Sequence, residues 1–357
     1  MMSVDNITNN NQTIAEDDFL EYALSHGFGD LHFKVDPETG MKAMIAIHST
    51  KLGPALGGCR FIEYPNTAAA LKDAMRLARG MSFKAASVNL PLGGGKSVIM
   101  KPKGSFNRTA YMHQFGKFVN ELNGRYITAL DSGTVLNDMD VIAEHTDYVA
   151  SLSKHNGDPS PSTAKGVLRG IQAAVAFKLG KDNLKGLHVA IQGLGHVGYL
   201  LAKHLHELGA TLTVADISPA VVEQAVNEFG AKPVSTDVIH KVPCDVFSPC
   251  ALGAIINDIT IPQLQTTVIA GAANNQLAHS FHGKKLHEKG ILFAADYVIN
   301  AGGLIFAASK YLHTPEDKVN DQIDGIYTSL TEIFTRSAKD NLPASEIADT
   351  LAQEKLA

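Results

Sequence analysis

From residue 187 onward the sequence alternates short apolar runs with amphipathic stretches, a pattern few folds can accept. LHVAIQG (187–193) is apolar without polar alternation, as a strand buried on both faces requires. VGYLLAKHLHELG (197–209) has helical periodicity and stops at a glycine. ATLTVAD (210–216) reads as a second strand. SPAVVEQAVNEFG (218–230) reads as a second helix, with Ser218 as N-cap and Pro219 in its first turn. Further strand candidates are CDVFSP (244–249), TVIAG (267–271) and ILFAAD (291–296). Strands separated by helices of this length predict a doubly wound parallel sheet.

The preceding part is less regular. MKAMIAIHST (41–50) reads as a strand, and residues 67–86 as a helix with Leu71, Met75, Leu77 and Met81 near one face. KLGPALGGCR (51–60) and LPLGGGKS (90–97) read as glycine-rich turns that let backbone approach a ligand. A boundary is expected near PSPSTAKG (159–166), with Thr163 capping a helix over 164–178. The 357 residues then divide into about two domains. The expected fold class is α/β: an N-terminal α/β substrate-binding and oligomerisation domain and a Rossmann-type domain, with a cleft between them that closes on substrate. The first domain spans 17–150, with about 330–357 returning to it. The second spans 151–329, and residues 1–16 form a polar, disordered leader.

Composition narrows the function. With 45% apolar and 19% charged residues, the chain is built to bury a core. A net charge of −5 gives no support for a nucleic-acid partner. No run approaches the ~18 apolar residues of a membrane span. Cys59, Cys244 and Cys250 are too few and too scattered for a disulfide framework, and the N-terminal residues lack a signal-peptide pattern. The expected location is cytoplasmic. No metal is expected: His204 and His206 do not share a helical face, and Cys244 and Cys250 have no second pair. Asp138 and Asp140 at a helix start favour its dipole.

Gly193-Leu194-Gly195-His196-Val197-Gly198 fits GxGxxG, lies between a strand and a helix, and precedes Asp216 by 23 residues from Gly193. In such a loop the first glycine makes the turn. The second admits a pyrophosphate to the backbone, and the third lets helix and strand pack. Asp216 can accept the ribose hydroxyls. Ile217 and Ser218 follow it, with no Arg or Lys for a 2′-phosphate, so NAD is expected rather than NADP.

Three further residues carry potential chemistry: Lys84 in GMSFKAA, Lys96 after three glycines, and Asp131 in ITALDSGT. A lysine in a glycine-lined site, partly buried and near a second ammonium, has its pKa drawn toward neutrality and can act as a base. A 2-hydroxyacid dehydrogenase would instead want a His–acid pair and an Arg, for which only His48 and Arg60 offer themselves. A non-catalytic NAD or amino-acid binder would not need the lysine–aspartate set.

The segments LGPALGGCR, RLARGMSFKAA, LPLGGGKSVI, LNGRYITALDSGT, NDMDVI, IAGAANNQL and DYVINAGG resemble the leucine-type branch of the amino-acid dehydrogenases. That superfamily also holds glutamate, phenylalanine and valine enzymes. The resemblance runs from about residue 17 to the C-terminal region. It implies NAD-dependent, reversible oxidative deamination of an L-amino acid to a 2-oxo acid and ammonia. Lys96 would activate the water that attacks the imino acid, Asp131 would shuttle protons to the amino nitrogen, and Lys84 would bind the substrate carboxylate. Asn274 or Asn275 would position nicotinamide or substrate, and Thr163 would lie near the carboxamide. Leu194, His196, Val197, Ile217 and Ala251 would complete the cofactor contacts, and Gly57 would touch substrate. The side-chain pocket would be Leu56, Ala129, Leu304 and Ala307. All four are apolar, which disfavours a buried distal carboxylate and hence glutamate. Leu304 is phenylalanine-like, Ala129 leucine-like, and Ala307 enlarges the pocket. Gly95 and Leu130 also depart from the leucine pattern. Branched-chain substrates come first and aromatic ones second. The resemblance further implies a homo-oligomer, octameric in the leucine branch.

Overall fold

Eleven strands and twelve α-helices form two sheets in this computed structural model, which describes residues 18–155 and 157–357. The expected leader lies outside the described residues. The chain divides into two units. One comprises residues 18–50, Pro54–Met81 and Gly93–Tyr148, and the other Lys51–Gly53, Ser82–Leu92 and Val149–Ala357.

The first unit contains α1 (Phe19–Ser25), β1 (Asp30–Asp36), β2 (Met41–Ser49), β3 (Ala55–Ile62), most of α2 (Thr67–Ser87), β4 (Gly93–Met100), α3 (Arg108–Glu121), β5 (Tyr126–Leu130) and α4 (Leu136–Ala143). Its sheet runs β1-β2-β4-β3-β5. β2 is antiparallel to β1 and β4, whereas β3 is parallel to β4 and β5. β2 is buried almost throughout, which is why it reads as an unbroken apolar run. Met44, Ala46 and Val98 pack against the Ala70, Leu71, Ala74, Met75 and Ala78 stripe of α2. Alanines thus supply much of that helix face, while Leu77 and Met81 are only half-buried.

Gly53 does lie in a turn, with φ +146°, but the adjacent glycines of both segments are in strands. Gly57, Gly58, Gly93, Gly94 and Gly95 all lie within β3 or β4, and none has a positive φ. These glycines are needed for closeness. A Cβ on Gly57 would collide with the Gly95 carbonyl oxygen, and one on Gly95 would stand 2.8 Å from the Tyr126 ring.

The second unit contains α5 (Ser160–Leu179), β6 (His188–Gln192), α6 (His196–Glu207), β7 (Thr211–Ala215), α7 (Pro219–Phe229), β8 (Lys232–Pro233), β9 (Cys244–Pro249), β10 (Thr266–Ile269), α8 (Phe281–Glu288), β11 (Leu292–Phe293), α9 (Asp296–Ile299), α10 (Gly302–Leu312), α11 (Glu316–Asp340) and α12 (Ala344–Leu356). Its sheet is parallel throughout, in the order β11-β10-β9-β6-β7-β8. Counted from its first strand, that order is 3-2-1-4-5-6, the doubly wound dinucleotide-binding arrangement, whose switch point lies between β6 and β9.

Two expectations are corrected here. α5 starts at Ser160, so Thr163 lies inside its first turn and donates to the Pro159 carbonyl at 3.0 Å. The N-cap residue is Pro159, and Asp158 just before it accepts the Ser160 N–H at 2.8 Å. The C-terminal helices group with the second unit rather than returning to the first. Ala352 of α12 packs against Phe83 and Ala86, and Lys355 donates to the Ala86 carbonyl at 3.2 Å and to Asn89 at 2.8 Å. The end of α2 therefore belongs to the second unit. No helix among the described residues is long and apolar enough to cross a membrane.

Candidate active site

In the second unit the glycine loop follows β6 directly. Gly193 has φ +97°, a conformation that strains any residue with a Cβ. A Cβ on Gly193 would lie 2.8 Å from Ala251, and one on Gly198 would collide with the Gly193 carbonyl. By contrast, a Cβ on Gly195 would meet no described atom within 4 Å. The first and third glycines are thus held by packing, while the second faces open space. Gly195 is also the N-cap of α6, where no side chain caps the helix. The free N–H groups and the positive dipole end suit an anion. His196 is exposed and Val197 half-buried at this helix start.

Asp216 follows β7 and closes over the loop. Its Oδ2 accepts the Leu194 N–H at 2.6 Å and its Oδ1 the Ser218 N–H at 2.8 Å. Each oxygen keeps lone-pair capacity for a hydroxyl donor. Ile217 beside it is 92% exposed. Ala251 follows β9, and Asn274 and Asn275 follow β10, so these candidates sit beyond the carboxyl ends of parallel strands. Asn300 Nδ2 donates to Asn274 Oδ1 at 2.7 Å, fixing that amide. Asn275 is exposed with φ +51°, a left-handed conformation asparagine tolerates. Thr163 adjoins the start of α10, where a Cβ on Gly303 would lie 2.8 Å from its hydroxyl. Leu304 and Ala307 follow on α10, both half-buried.

Lys84 lies in the last turn of α2, within the second unit. Burial pulls its pKa down to about 8, opposed by the charge of Asp296. Burial likewise raises Asp296, although the backbone N–H groups of Gln276, at 2.9 Å, and Tyr297, at 2.7 Å, donate to its carboxylate. Asp296 is a residue that sequence reasoning missed. It stands in the DYVINAGG segment, but the effect of its charge on Lys84 is visible only in the fold.

In the first unit, Lys96 sits on β4 and Asp131 just beyond β5, the two strands that flank β3. Lys96 Nζ is ion-paired with Asp131 Oδ2; the lysine side chain is buried, at 7% exposed, and the aspartate partly buried, at 15%. The pair forms across β3 because β3 carries no side chain there. A Cβ on Gly58 would stand 2.5 Å from Asp131 Oδ2 and 2.7 Å from Asp131 Cβ. Thr134 Oγ1 accepts the Asp131 N–H at 3.0 Å and donates to the Cys59 carbonyl at 3.1 Å, tying the Asp131 loop to β3. Arg60 Nε lies 3.7 Å from Asp131 Oδ1, and Arg60 Nη1 donates to Asp73 at 2.6 Å. Gly58, Arg60 and Thr134 were therefore also missed as supports. The GGCR and LDSGT segments hold them, but local spacing could not join them. Leu56 and Ala129, on β3 and β5, are 2% and 9% exposed. Gly57 takes the Tyr126 hydroxyl on its carbonyl at 2.7 Å.

Against known proteins, the model of the Glu/Leu/Phe/Val dehydrogenase dimerisation domain matches residues 29–148, and the Glutamate/Leucine/Phenylalanine/Valine dehydrogenase model matches 157–225 and 220–357. The chain belongs to this family. It is 48% identical to a leucine dehydrogenase of Geobacillus stearothermophilus over 342 residues, covering 95% of this chain and 93% of that protein. It is 46% identical to an L-tryptophan dehydrogenase of Nostoc punctiforme over 319 residues, covering 88% and 90%. A crystal structure of L-tryptophan dehydrogenase from Nostoc punctiforme superposes with a TM-score of 0.88 at 41% identity, covering 94% of this chain and 98% of the other. These matches span both units, so the N-terminal glycine strands and the dinucleotide loop belong to one enzyme architecture.

Proposed function

We propose that the protein catalyses the NAD-dependent, reversible oxidative deamination of an apolar, branched-chain, leucine-like L-amino acid to the 2-oxo acid and ammonia. The observation that carries this reading is the Lys96–Asp131 pair, formed across β3 at Gly58, where the strand carries no side chain. A binding protein has no use for a lysine and a carboxylate kept out of water at such cost.

The residues present fit NAD. Gly195 and the uncapped start of α6 offer a pyrophosphate cradle, and Asp216 offers both oxygens to ribose hydroxyls. The exposed Ile217 supplies no cation for a 2′-phosphate. When bound, NAD supplies the hydride acceptor. The protein does the rest. Lys84 holds the substrate carboxylate as an ammonium. Once its ammonium proton has passed to Asp131, Lys96 orients water against the imino carbon and takes the water's proton as the C–O bond forms. Asp131 then returns a proton to the departing nitrogen, so ammonia leaves as water oxygen becomes the oxo group. Asn275 positions the substrate and Asn274, fixed by Asn300, the nicotinamide.

By resemblance Leu56, Ala129, Leu304 and Ala307 are the residues that meet the substrate side chain, and all four are apolar, which disfavours a substrate with a distal charge. Discrimination among apolar substrates rests on a methylene or two, each worth ~1–3 kcal/mol. An aromatic substrate is the second reading, favoured by Ala307 and by the 46% identity to a tryptophan dehydrogenase. A survey of initial rates with NAD across leucine, valine, isoleucine, phenylalanine and tryptophan, following NADH, decides between them. Highest kcat/KM on an aromatic substrate would overturn the first reading, and no NADH with any would overturn both. We assign the protein to the cytoplasm and to a homo-oligomer, an octamer, whose mass light scattering after gel filtration would measure.

A further inference from the structure

A second cluster of reactive side chains lies in the first unit, where α3 and α4 pack. His113 on α3 faces Glu144 and His145 at the end of α4. His113 Nδ1 is hydrogen-bonded to His145 Nε2 at 2.8 Å and stands 3.7 Å from Glu144 Oε2. The three ligand atoms all lie within 4.8 Å of one another. In a tetrahedral zinc site with Zn–N and Zn–O near 2.1 Å, adjacent ligand atoms stand about 3.4 Å apart. The two distances bracket that value, so an ion enters by replacing the hydrogen bond between the two rings as they part by about 0.6 Å. The imidazole rings are nearly perpendicular, at 82°, which separates their bulk while the nitrogens converge.

The backbone holds this arrangement. Gly116, one turn beyond His113, lacks the side chain that would stand 2.6 Å from the Ile142 carbonyl oxygen and 3.1 Å from His145 Cβ. The end of α4 can therefore lie directly on α3. Met112, Phe115 and Ile142 beneath are essentially fully buried. The carboxyl end of α4 also presents the negative pole of its dipole to a cation. The His113 side chain is 33% exposed and Glu144 60%, so water has access to a fourth position.

We propose that His113, Glu144 and His145 form a binding site for one Zn²⁺ ion, with water as the fourth ligand. The ion fastens one end of a helix pair whose other end is already joined, because Arg108 of α3 donates to Asp138 of α4 at 2.7 and 2.6 Å. The site shares no residue with the Lys96–Asp131 pair, and its role is to stiffen α3 and α4.

The test uses the full-length protein stripped with chelator and titrated with ZnCl₂ by calorimetry. In parallel, Co²⁺ is used as a probe whose visible absorption reports low-coordinate nitrogen and oxygen ligation. Wild type is expected to take up one more equivalent of Zn²⁺ than His113→Ala and His145→Gln, and to show a Co²⁺ band that both variants lose. Glu144→Gln is expected to weaken binding by about tenfold or more. Circular dichroism and deamination rate confirm that each variant is folded, and any one folded variant carries the comparison. Equal stoichiometry and affinity in wild type and a folded histidine variant would overturn the proposal, as would absence of zinc uptake by the wild type.

Discussion

Gly58→Ala tests the catalytic reading at its most sensitive point. The new Cβ would stand 2.5 Å from Asp131 Oδ2, 2.7 Å from its Cβ and 3.0 Å from its Cγ. Ordinary carbon contacts begin near 3.5 Å. Rotating the carboxylate relieves the first overlap but not the second, because Cβ moves only with the backbone. The Asp131 loop must shift by roughly 1 Å against the anchor of Thr134 on β3, and the ion pair with Lys96 is pulled apart. A misplacement of ~1 Å typically costs about 10²-fold in rate, or ~2.7 kcal/mol of barrier. Overpacking adds about 1–3 kcal/mol of lost stability. Steady-state kinetics should show kcat falling by about two orders of magnitude, with the Kd for NADH, measured by fluorescence, unchanged. A methyl group that leaves kcat within about twofold of wild type would mean that the Lys96–Asp131 geometry does not limit turnover, and the reasoning would fail.

Four other expectations follow from the same geometry. Lys96→Ala should lower turnover by about 10²- to 10⁴-fold while NAD still binds, and near-normal rates would remove Lys96 from the chemistry. Asp216→Ala should raise the KM for NAD by roughly 10- to 100-fold, the value of hydrogen bonds to a charged group, with amino-acid preference unaltered. Lys84, lowered by burial to about 8, should lose its grip on a carboxylate above that pH. Affinity for the 2-oxo acid, which has no titrating amine, should therefore fall through pH 8, and Asp296→Asn should move the fall to lower pH. An unaltered profile in Asp296→Asn would refute the coupling. The same lysine makes a stability prediction. Between pH 8 and its ordinary 10.5, the unfolded chain keeps a proton that the native lysine has released, so this residue's contribution to stability rises with pH across that window.

The strands and helices of the second unit were legible because each is bounded by a marker that acts locally. Gly209 ends one helix, Pro219 opens the next, and β6, β7 and β9 are short apolar runs in a sheet buried on both faces. The glycine loop was legible for the same reason: its conformational needs lie within six residues. The N-terminal glycines were misread because glycine permits both a turn and a close strand contact, and sequence spacing does not distinguish them. What decides is Tyr126 against Gly95 and Asp131 against Gly58, neighbours brought in by β5. Likewise Thr163 looked like a cap because Pro159 and Pro161 precede it. The structure starts the helix at Ser160 instead, since proline is tolerated in a first turn. His113 and His145 were invisible as a cluster, because only the Gly116 crossing makes residues on two helices neighbours.

The distribution of chemistry over the chain explains why the variants above can be told apart. Lys84 and Lys96 are twelve residues apart, yet the chain passes between units after Met81 and again before Gly93, so Lys84 groups with the dinucleotide loop and Lys96 with Asp131. A damaged Lys96 or Gly58 therefore perturbs packing around β3, β4 and β5, and the Gly193–Gly198 loop, Asp216 and their hydrogen bonds lie in the other unit. Cofactor affinity should respond to Asp216 and not to Gly58. Proton transfer should respond to Gly58 and not to Asp216. If Gly58→Ala and Asp216→Ala changed cofactor affinity and turnover in the same proportion, the two sets could not be acting through separate packing. The assignment of the proton work to the β3–β5 side alone would then have to be abandoned.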